Sequence, residues 1–313
     1  MVSLQQRELI ALIQRRINLT ILVIGATGFI GNTLTNCARA TGHRVIGCSR
    51  SDWKGKIINQ FPKREDYWCS ADGDIPKKLM DEADCLVLLA GKRPYPGFCF
   101  DDYAYNISVA QRYMTLAIKN GMKNVVFASS KAVYSGADMP WREERFYTPS
   151  SLYGSSKAAV EQLGLLYSAS GEFCFKSLRF AQVIGAEERK GYLINTLIDN
   201  ARAKKTQTIF GSGAQKRQYV YVKDVAASIL VAAEKTVISG IFNIAMPGTV
   251  SHLELAEAVN ACFGNEGNLV HDYSRPMSGF DDEMCVEKAE RLLGFSAQYS
   301  VREALKDIRE TAN

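Results

Sequence analysis

Short apolar runs rich in β-branched residues alternate with stretches of helical period along most of the chain. The runs are LTILVIG, HRVIGCS, DCLVLLAG, NVVFASS and FKSLRFA, which begin at residues 19, 43, 84, 124 and 175. Strands that alternate with helices are typical of βαβ units, in which successive strands lie parallel. The pattern therefore predicts an α/β fold built on a doubly wound parallel sheet, with ligands bound at the carboxyl ends of its strands.

The composition is that of an ordinary globular protein. Apolar residues make up 47% and charged residues 23% of the 313 positions, and a net charge of +5 gives no reason to expect a nucleic-acid partner. No apolar stretch is long enough to cross a bilayer and the N-terminus has no signal-peptide pattern, so we expect a cytoplasmic protein with no membrane partner. Single, scattered cysteines predict reduced thiols, and three histidines without metal-site spacing predict no metal.

The first predicted strand runs into the glycine-rich turn GATGFIG, and a helical stretch follows it. Gly25 permits the tight turn, Gly28 lets backbone amides approach a pyrophosphate, and Gly31 lets the helix pack closely on the strand. The free N–H groups and the dipole at a helix N-terminus favour such an anion. This context predicts a dinucleotide site. Its expected contacts in the turn are Gly25, Thr27, Gly28, Phe29, Ile30 and Gly31.

The end of the second strand bears on which dinucleotide is bound. Ser49 and Arg50 stand where an acidic residue often accepts the ribose 2′-hydroxyl of NAD, and an arginine can pair with a 2′-phosphate. This favours NADP over NAD, unless Arg50 is a solvated loop charge and Asp52 binds the ribose. Asp72 is placed to meet the adenine amino group. The end of the fourth strand supplies the remaining expected contacts, Leu89, Ala90 and Gly91.

A candidate catalytic set follows the strand that ends in Ser130. Tyr153 and Lys157, in the sequence YGSSK, are spaced i, i+4 and so share one face of a helix. A nearby ammonium, together with an oxidised nicotinamide, lowers the pKa of a tyrosine and favours the phenolate. Tyr153 can then exchange a proton with a substrate hydroxyl while hydride leaves or returns at the same carbon. Ser130 would position the reacting oxygen.

Four motifs, in order, resemble the extended short-chain dehydrogenase/reductase superfamily, which includes nucleotide-sugar 4-epimerases, dehydratases and 4-keto reductases. They are GATGFIG, SSKAVY, YGSSK and RQYVYVKDVA, beginning at residues 25, 129, 153 and 217. The resemblance covers the chain from about Leu19 to near the C-terminus. It implies a Rossmann domain that binds NAD(P). The site residues that it implies are Ser130, Tyr153 and Lys157 for catalysis, and Asn106, Tyr153 and Lys157 are also expected to contact the cofactor.

The resemblance also implies a nucleotide-sugar substrate whose diphosphate is held by arginines. Arg217 and Arg275 fall at the matching positions, Arg275 more loosely, and forked guanidinium groups suit phosphate oxygens. The remaining expected substrate contacts are Ser129, Ser130 and Gln182.

Several positions depart from the family pattern. Lys131 and Ala132 stand where dehydratases usually carry an Asp-Glu pair, which argues against dehydration and equally against decarboxylation. Gln182 replaces a common substrate-binding asparagine, and Cys285 replaces a common aspartate. These departures leave the sugar and the base open.

Three functions are consistent with these motifs. The leading hypothesis is a nucleotide-sugar 4-epimerase that works through a transient 4-keto sugar, since the resemblance over the whole chain favours epimerases. The second is an NADPH-dependent 4-keto reductase, which Arg50 favours. The third is a non-catalytic dinucleotide-binding sensor or scaffold, disfavoured because Ser130, Tyr153 and Lys157 are all present.

The expected organisation has three parts. An amphipathic helix is predicted in residues 1–18, packed on the body or, as a lesser alternative, lying on a membrane surface. A dinucleotide-binding domain is expected at 19–178 and a smaller, mainly substrate-binding C-terminal lobe at 179–313, from which about 219–245 returns to the first domain. The apolar positions that predict the N-terminal helix are Leu9, Ile10, Ile13 and Ile17.

The family often forms homodimers through the helices after the fourth and fifth strands. Here these helices are predicted at about 103–120 and 152–170. Leu163, Leu166 and Tyr167 form an apolar stripe on the second helix, which a dimer interface and an intramolecular face would explain equally well.

Overall fold

Thirteen strands are present in the computed structural model, which describes residues 18–49, 75–136, 138–188, 191–274 and 281–311 and the backbone of 67–70. The strands are β1 (Thr20–Ile24), β2 (Arg44–Ser49), β3 (Tyr67–Ser70), β4 (Cys85–Leu88), β5 (Asn124–Ser130), β6 (Cys174–Phe180), β7 (Gln182–Ile184), β8 (Gln207–Phe210), β9 (Lys216–Arg217), β10 (Tyr219–Tyr221), β11 (Gly240–Ile244), β12 (Val250–Ser251) and β13 (Leu269–Asp272). The predicted helix in residues 1–18 lies almost entirely outside the described residues.

Seven of these strands form one parallel sheet in the order β11-β6-β5-β4-β1-β2-β3. The direction in which strands are added reverses between β1 and β4. Ligands in open α/β sheets bind at such a switch point, outside the carboxyl ends of the strands. The predicted doubly wound Rossmann sheet is confirmed, and all five apolar runs lie in its strands.

Helices cover both faces of the sheet, because successive side chains of its buried strands point to opposite sides. On β1, Ile21 and Val23 belong to one core cluster, whereas Leu22 and Ile24 belong to the other. The helices are α1 (Phe29–Ala40), α2 (Lys77–Asp81), α3 (Phe100–Lys119), α4 (Leu152–Ala169), α5 (Leu193–Arg202), α6 (Val222–Glu234), α7 (His252–Phe263) and α8 (Val301–Thr311). Helix α1 packs against α6 on one face, and α3 packs against α4 on the other.

A third core cluster lies in the C-terminal part of the chain. It joins α5, α7 and α8 through buried residues such as Leu197, Leu255 and Leu305. Three two-stranded sheets accompany these helices: β7 with β10, β8 with β13, and β9 with β12. By contrast, α6 and β11 are part of the large sheet and its helical cover.

The cysteines differ from the sequence expectation at one position. Cys48 is disulfide-bonded, whereas all cysteines were expected to be reduced. The parallel register of β2 and β3 sets the backbone of Cys48 opposite that of Cys69, a long-range strand contact that spacing along the chain does not reveal. The free thiols among the described residues are Cys37, Cys85, Cys99, Cys174, Cys262 and Cys285.

The stripe expected on α4 is largely an intramolecular face. Leu163 and Tyr167 pack against the core beneath α3 and α4. Leu166, in contrast, is 67% exposed. The stripe therefore contributes to the interior of the protein, with one residue directed outward.

Candidate active site

The glycine-rich turn brings three segments of backbone into close contact. Gly25 has a φ of +97°, and a Cβ there would lie 2.9 Å from the backbone nitrogen of Ala90. A Cβ on Gly31 would lie 2.2 Å from the carbonyl oxygen of Gly25, so the first turn of α1 sits directly on the end of β1. Only glycine allows both the positive φ and this close approach.

The N-terminus of α1 is suited to an anion. Gly28 precedes the helix in an extended conformation and provides no side chain to cap it, and the first turn contains no acidic residue. The first N–H groups of a helix have no partner within it, so they can donate to a pyrophosphate. These features, with the crowded glycine cradle, fit a dinucleotide.

The rest of the predicted cofactor residues are distributed around this turn. The Thr27 and Ser49 hydroxyl oxygens lie 2.6 Å apart, which joins the turn to the end of β2. The backbone N–H groups of Leu89 and Ala90 both donate to the carbonyl oxygen of Ile24 at 2.9 Å. Gly91 continues the same segment toward Asn106.

Two of the predicted cofactor residues, Phe29 and Ile30, pack instead against the C-terminal core. Arg50 and Asp72 lie outside the described residues.

Asn106 organises the loop that follows β4. Its Oδ1 accepts the backbone N–H of Lys92 at 2.6 Å, and its Nδ2 donates to the Lys92 carbonyl at 3.0 Å. Nδ2 also lies 3.3 Å from the Ser156 hydroxyl oxygen, which ties the loop to α4. Asn106 therefore holds the loop beside the helix that carries Tyr153.

The three predicted catalytic residues meet at the carboxyl end of β5. Ser130 ends that strand, and Tyr153 lies in the first turn of α4, with both side chains in the wall of one cavity. Lys157 lies one turn later, and its Nζ donates to the Ala128 carbonyl at 2.7 Å. The same nitrogen is 5.8 Å from the centre of the Tyr153 ring.

Burial controls the protonation of this set. Burial raises the pKa of Tyr153 to about 12, and the hydrogen bond with Ser130 only partly opposes it. Burial also lowers the pKa of Lys157 to about 8, against the attraction of the Glu161 carboxylate. The sequence predicted a lowered tyrosine pKa in the presence of both an ammonium and an oxidised nicotinamide. In the protein alone, desolvation outweighs the neighbouring charges.

A cavity of about 550 Å³ opens beside Tyr153 and Ser130. Its wall also contains Gln182 and Arg217, so four of the predicted residues share one space. Ser129 is not in this wall: it is buried, and its hydroxyl oxygen has no hydrogen-bond partner among the described residues. Arg275 lies outside the described residues.

Asp282 is a residue of the cavity wall that the sequence analysis missed. Its Oδ2 accepts hydrogen bonds from Lys131 Nζ at 2.6 Å and from Arg217 Nη1 at 2.8 Å. The one hint in the sequence was the acidic pair Asp281-Asp282, which follows Arg275 by a few residues. Nothing local indicated that it meets two cations from other segments.

Among the described residues there is neither a candidate metal site nor a candidate membrane-spanning helix. They contain no group of three or more histidine, cysteine or acidic residues arranged to hold a metal ion. None of their helices is long and apolar enough to span a membrane.

Comparison with known proteins agrees with this geometry. A Bacillus subtilis protein named as an uncharacterized UDP-glucose epimerase, YtcB, is 28% identical over 305 residues, covering 91% of this chain and 95% of its own. The UDP-glucuronate 4-epimerase of Thermodesulfobacterium geofontis is 26% identical over 309 residues, covering 91% and 93%.

Solved structures are similar over nearly the whole chain. The UDP-N-acetylglucosamine 4-epimerase from Bacillus cereus has a TM-score of 0.81 at 28% identity and covers 94% of this chain and 96% of its own. MoeE5 in complex with UDP-glucose and NAD has a TM-score of 0.80 at 27% identity, covering 94% and 98%.

The match to a family model is decisive, because it covers most of the central sheet and both motifs of the site. The model of the NAD dependent epimerase/dehydratase family matches residues 21–245. This range contains the glycine-rich turn, Ser130, Tyr153, Lys157 and Arg217. The chain belongs to the NAD dependent epimerase/dehydratase family.

Proposed function

We propose that the protein is a nucleotide-sugar epimerase that inverts a carbon of the sugar, C4, through a transient 4-keto intermediate. The observation that carries this proposal is the meeting of Ser130, Tyr153 and Lys157 between the glycine cradle and the cavity. Several of the similar proteins are named as epimerases of UDP-sugars, among them two 4-epimerases reported above, and these names support the same activity.

The chain's own residues account for the proton side of the reaction. Tyr153 exchanges a proton with the sugar hydroxyl, and Ser130 holds the reacting oxygen by a hydrogen bond. Lys157, anchored on the Ala128 carbonyl, favours the phenolate form of Tyr153 when it is charged. The nicotinamide, when bound, supplies a hydride acceptor and donor for the sugar carbon.

The dinucleotide and the diphosphate have separate sites in this proposal. The turn from Gly25 to Gly31 holds the cofactor, whereas Arg217, and Arg275 with it, bind the substrate diphosphate. The preference for NADP inferred from Arg50 stays a prediction, and MoeE5 carries NAD in its solved complex. Titration of the purified protein with NAD⁺ and NADP⁺ separates the two.

A Tyr153→Phe variant tests the proposed activity. We expect turnover of UDP-sugars, followed by chromatography of the two epimers, to fall by about 10²-fold or more, because the proton-exchanging group is lost. Binding of the dinucleotide should be nearly unchanged. Tyr167→Phe, on the same helix and packed against Phe173, is the matched control and should retain activity.

The result of that test also separates the other hypotheses. Substantial epimerisation by Tyr153→Phe would show that another base acts. Wild-type protein that only consumes NADPH with a 4-keto sugar would be a reductase, and protein that binds a dinucleotide without turning over any nucleotide sugar would be a sensor or scaffold. Homodimerisation through α3 and α4 and a cytoplasmic location remain part of the proposal, and sedimentation and fractionation test them.

A further inference from the structure

Lys131 and Arg217 share a single buried anchor in the cavity wall. Both donate to Oδ2 of Asp282, at 2.6 and 2.8 Å, while Oδ1 accepts the backbone N–H of Gln218 at 2.9 Å. Lys131 Nζ and Arg217 Nη1 are therefore no further apart than the sum of their distances to Oδ2. One carboxylate fixes two cations side by side.

The two cations are more exposed than their anchor, although all three side chains line the cavity. The Asp282 side chain is 2% exposed, whereas those of Lys131 and Arg217 are 21% and 24% exposed. Asp282 is also the one carboxylate among the described residues that line the cavity. A ligand in this space therefore meets two cations. Because Asp282 cancels one of their charges, the three side chains together carry a net charge of +1.

Lys131 is close in the chain to the residue that the proposed function places at the reacting carbon. It directly follows Ser130, lines the same cavity as Ser130 and Tyr153, and shares Asp282 with Arg217. An ammonium has three donors, and among the described residues Lys131 uses one of them on Asp282. In the proposed function, the remaining donors would be available to a group on the sugar.

We propose that Lys131 is a specificity-determining residue that recognises a carboxylate on the sugar, so that the substrate is a nucleoside-diphosphate uronate. This inference rests on the proposed function. A hydrogen bond between two charged groups is roughly twice as strong as one between neutral groups. A partly buried ammonium consequently gains more from a carboxylate than from the hydroxymethyl group of a neutral hexose.

The charge state of Lys131 is compatible with this role. Burial lowers the pKa of its ammonium, and the attraction of Asp282 opposes that effect. A second carboxylate would add to this attraction and hold the proton more firmly.

The test is calorimetric titration of the full chain, with its dinucleotide present, by UDP-glucuronate, UDP-glucose and UDP. We expect the wild-type protein to bind UDP-glucuronate more tightly than UDP-glucose. Lys131→Gln should weaken UDP-glucuronate binding by about tenfold or more and leave the other two affinities nearly unchanged. Lys131→Arg should restore much of the preference, because it restores the charge.

Lys216→Gln is the matched control, since Lys216 is an exposed cation next to Arg217 and outside the cavity wall. It should change all three affinities slightly and equally. If Lys131→Gln weakens all three ligands alike, Lys131 binds the diphosphate and the inference is wrong. Equal wild-type affinity for the two sugars also overturns it. Failure of all three ligands to bind would instead overturn the proposed function.

Discussion

Lys157 illustrates how a single buried residue carries a cost in stability that its proposed function would explain. The residue is 8% exposed, and burial lowers the pKa of its ammonium from the usual 10.5 to about 8. A folded protein that must desolvate a charge is less stable for it. In exchange for this loss of stability, the ammonium is held beside Tyr153 by its hydrogen bond to the Ala128 carbonyl.

The pH dependence of stability should reveal this cost. Below about pH 8, Lys157 is charged in both the folded and the unfolded chain. Between about pH 8 and 10.5 the folded protein has lost the proton while the unfolded chain keeps it, so unfolding takes up a proton and stability rises with pH. In Lys157→Met this contribution is absent.

Urea unfolding of both proteins at intervals from pH 7 to pH 10.5 measures the difference. The wild-type free energy of unfolding should increase relative to that of Lys157→Met by up to about 3 kcal/mol over this interval. Other titrating groups cancel in the comparison. A difference that stays constant with pH would mean that Lys157 has an ordinary pKa in the folded protein.

At the scale of elements, the placement of α1 depends on one missing side chain. A Cβ on Gly31 would meet the Gly25 carbonyl oxygen at 2.2 Å and the Cα of Ala26 at 2.7 Å. These are backbone atoms of the turn, which cannot turn away as a flexible side chain would. The helix must therefore move away from β1 if Gly31 is replaced.

We expect Gly31→Ala to reduce dinucleotide affinity sharply and to lower the free energy of unfolding by about 1–3 kcal/mol, because α1 shifts from the turn that it closes. Asn36→Ala, at an exposed position of the same helix, is the control and should affect neither property. Fluorescence titration with NADH and urea unfolding give the two readouts. Wild-type affinity in Gly31→Ala would show that the cofactor does not use this turn.

At the scale of the whole molecule, the features that could be predicted from the sequence are those determined by short segments of the chain. The strands, the turn from Gly25 to Gly31 and the Tyr153–Lys157 pair depend on local period and spacing, and the structure contains each of them. The disulfide at Cys48 and the anchor at Asp282 depend on contacts across the fold. Asp282 is 65 residues from Arg217 and 151 from Lys131, separations over which no local pattern extends.

The protonation of Tyr153 also depends on contacts across the fold, which a short sequence motif does not reveal. The high pKa of Tyr153 is caused by burial, which arises only when the surrounding segments pack over it. A sequence motif names the groups that react, but it does not give the dielectric environment in which they react.

The return of α6 and β11 to the main sheet has a consequence for engineering. The chain leaves the large sheet after β6, returns with α6 packed on its face and β11 at its edge, and then leaves again, so the third core cluster is built from two separate stretches. A chimera that takes this cluster from a relative therefore needs two grafts around a retained piece of about 222–244. A single crossover after residue 180 would instead join β6 to a foreign β11 and mismatch the edge of the sheet.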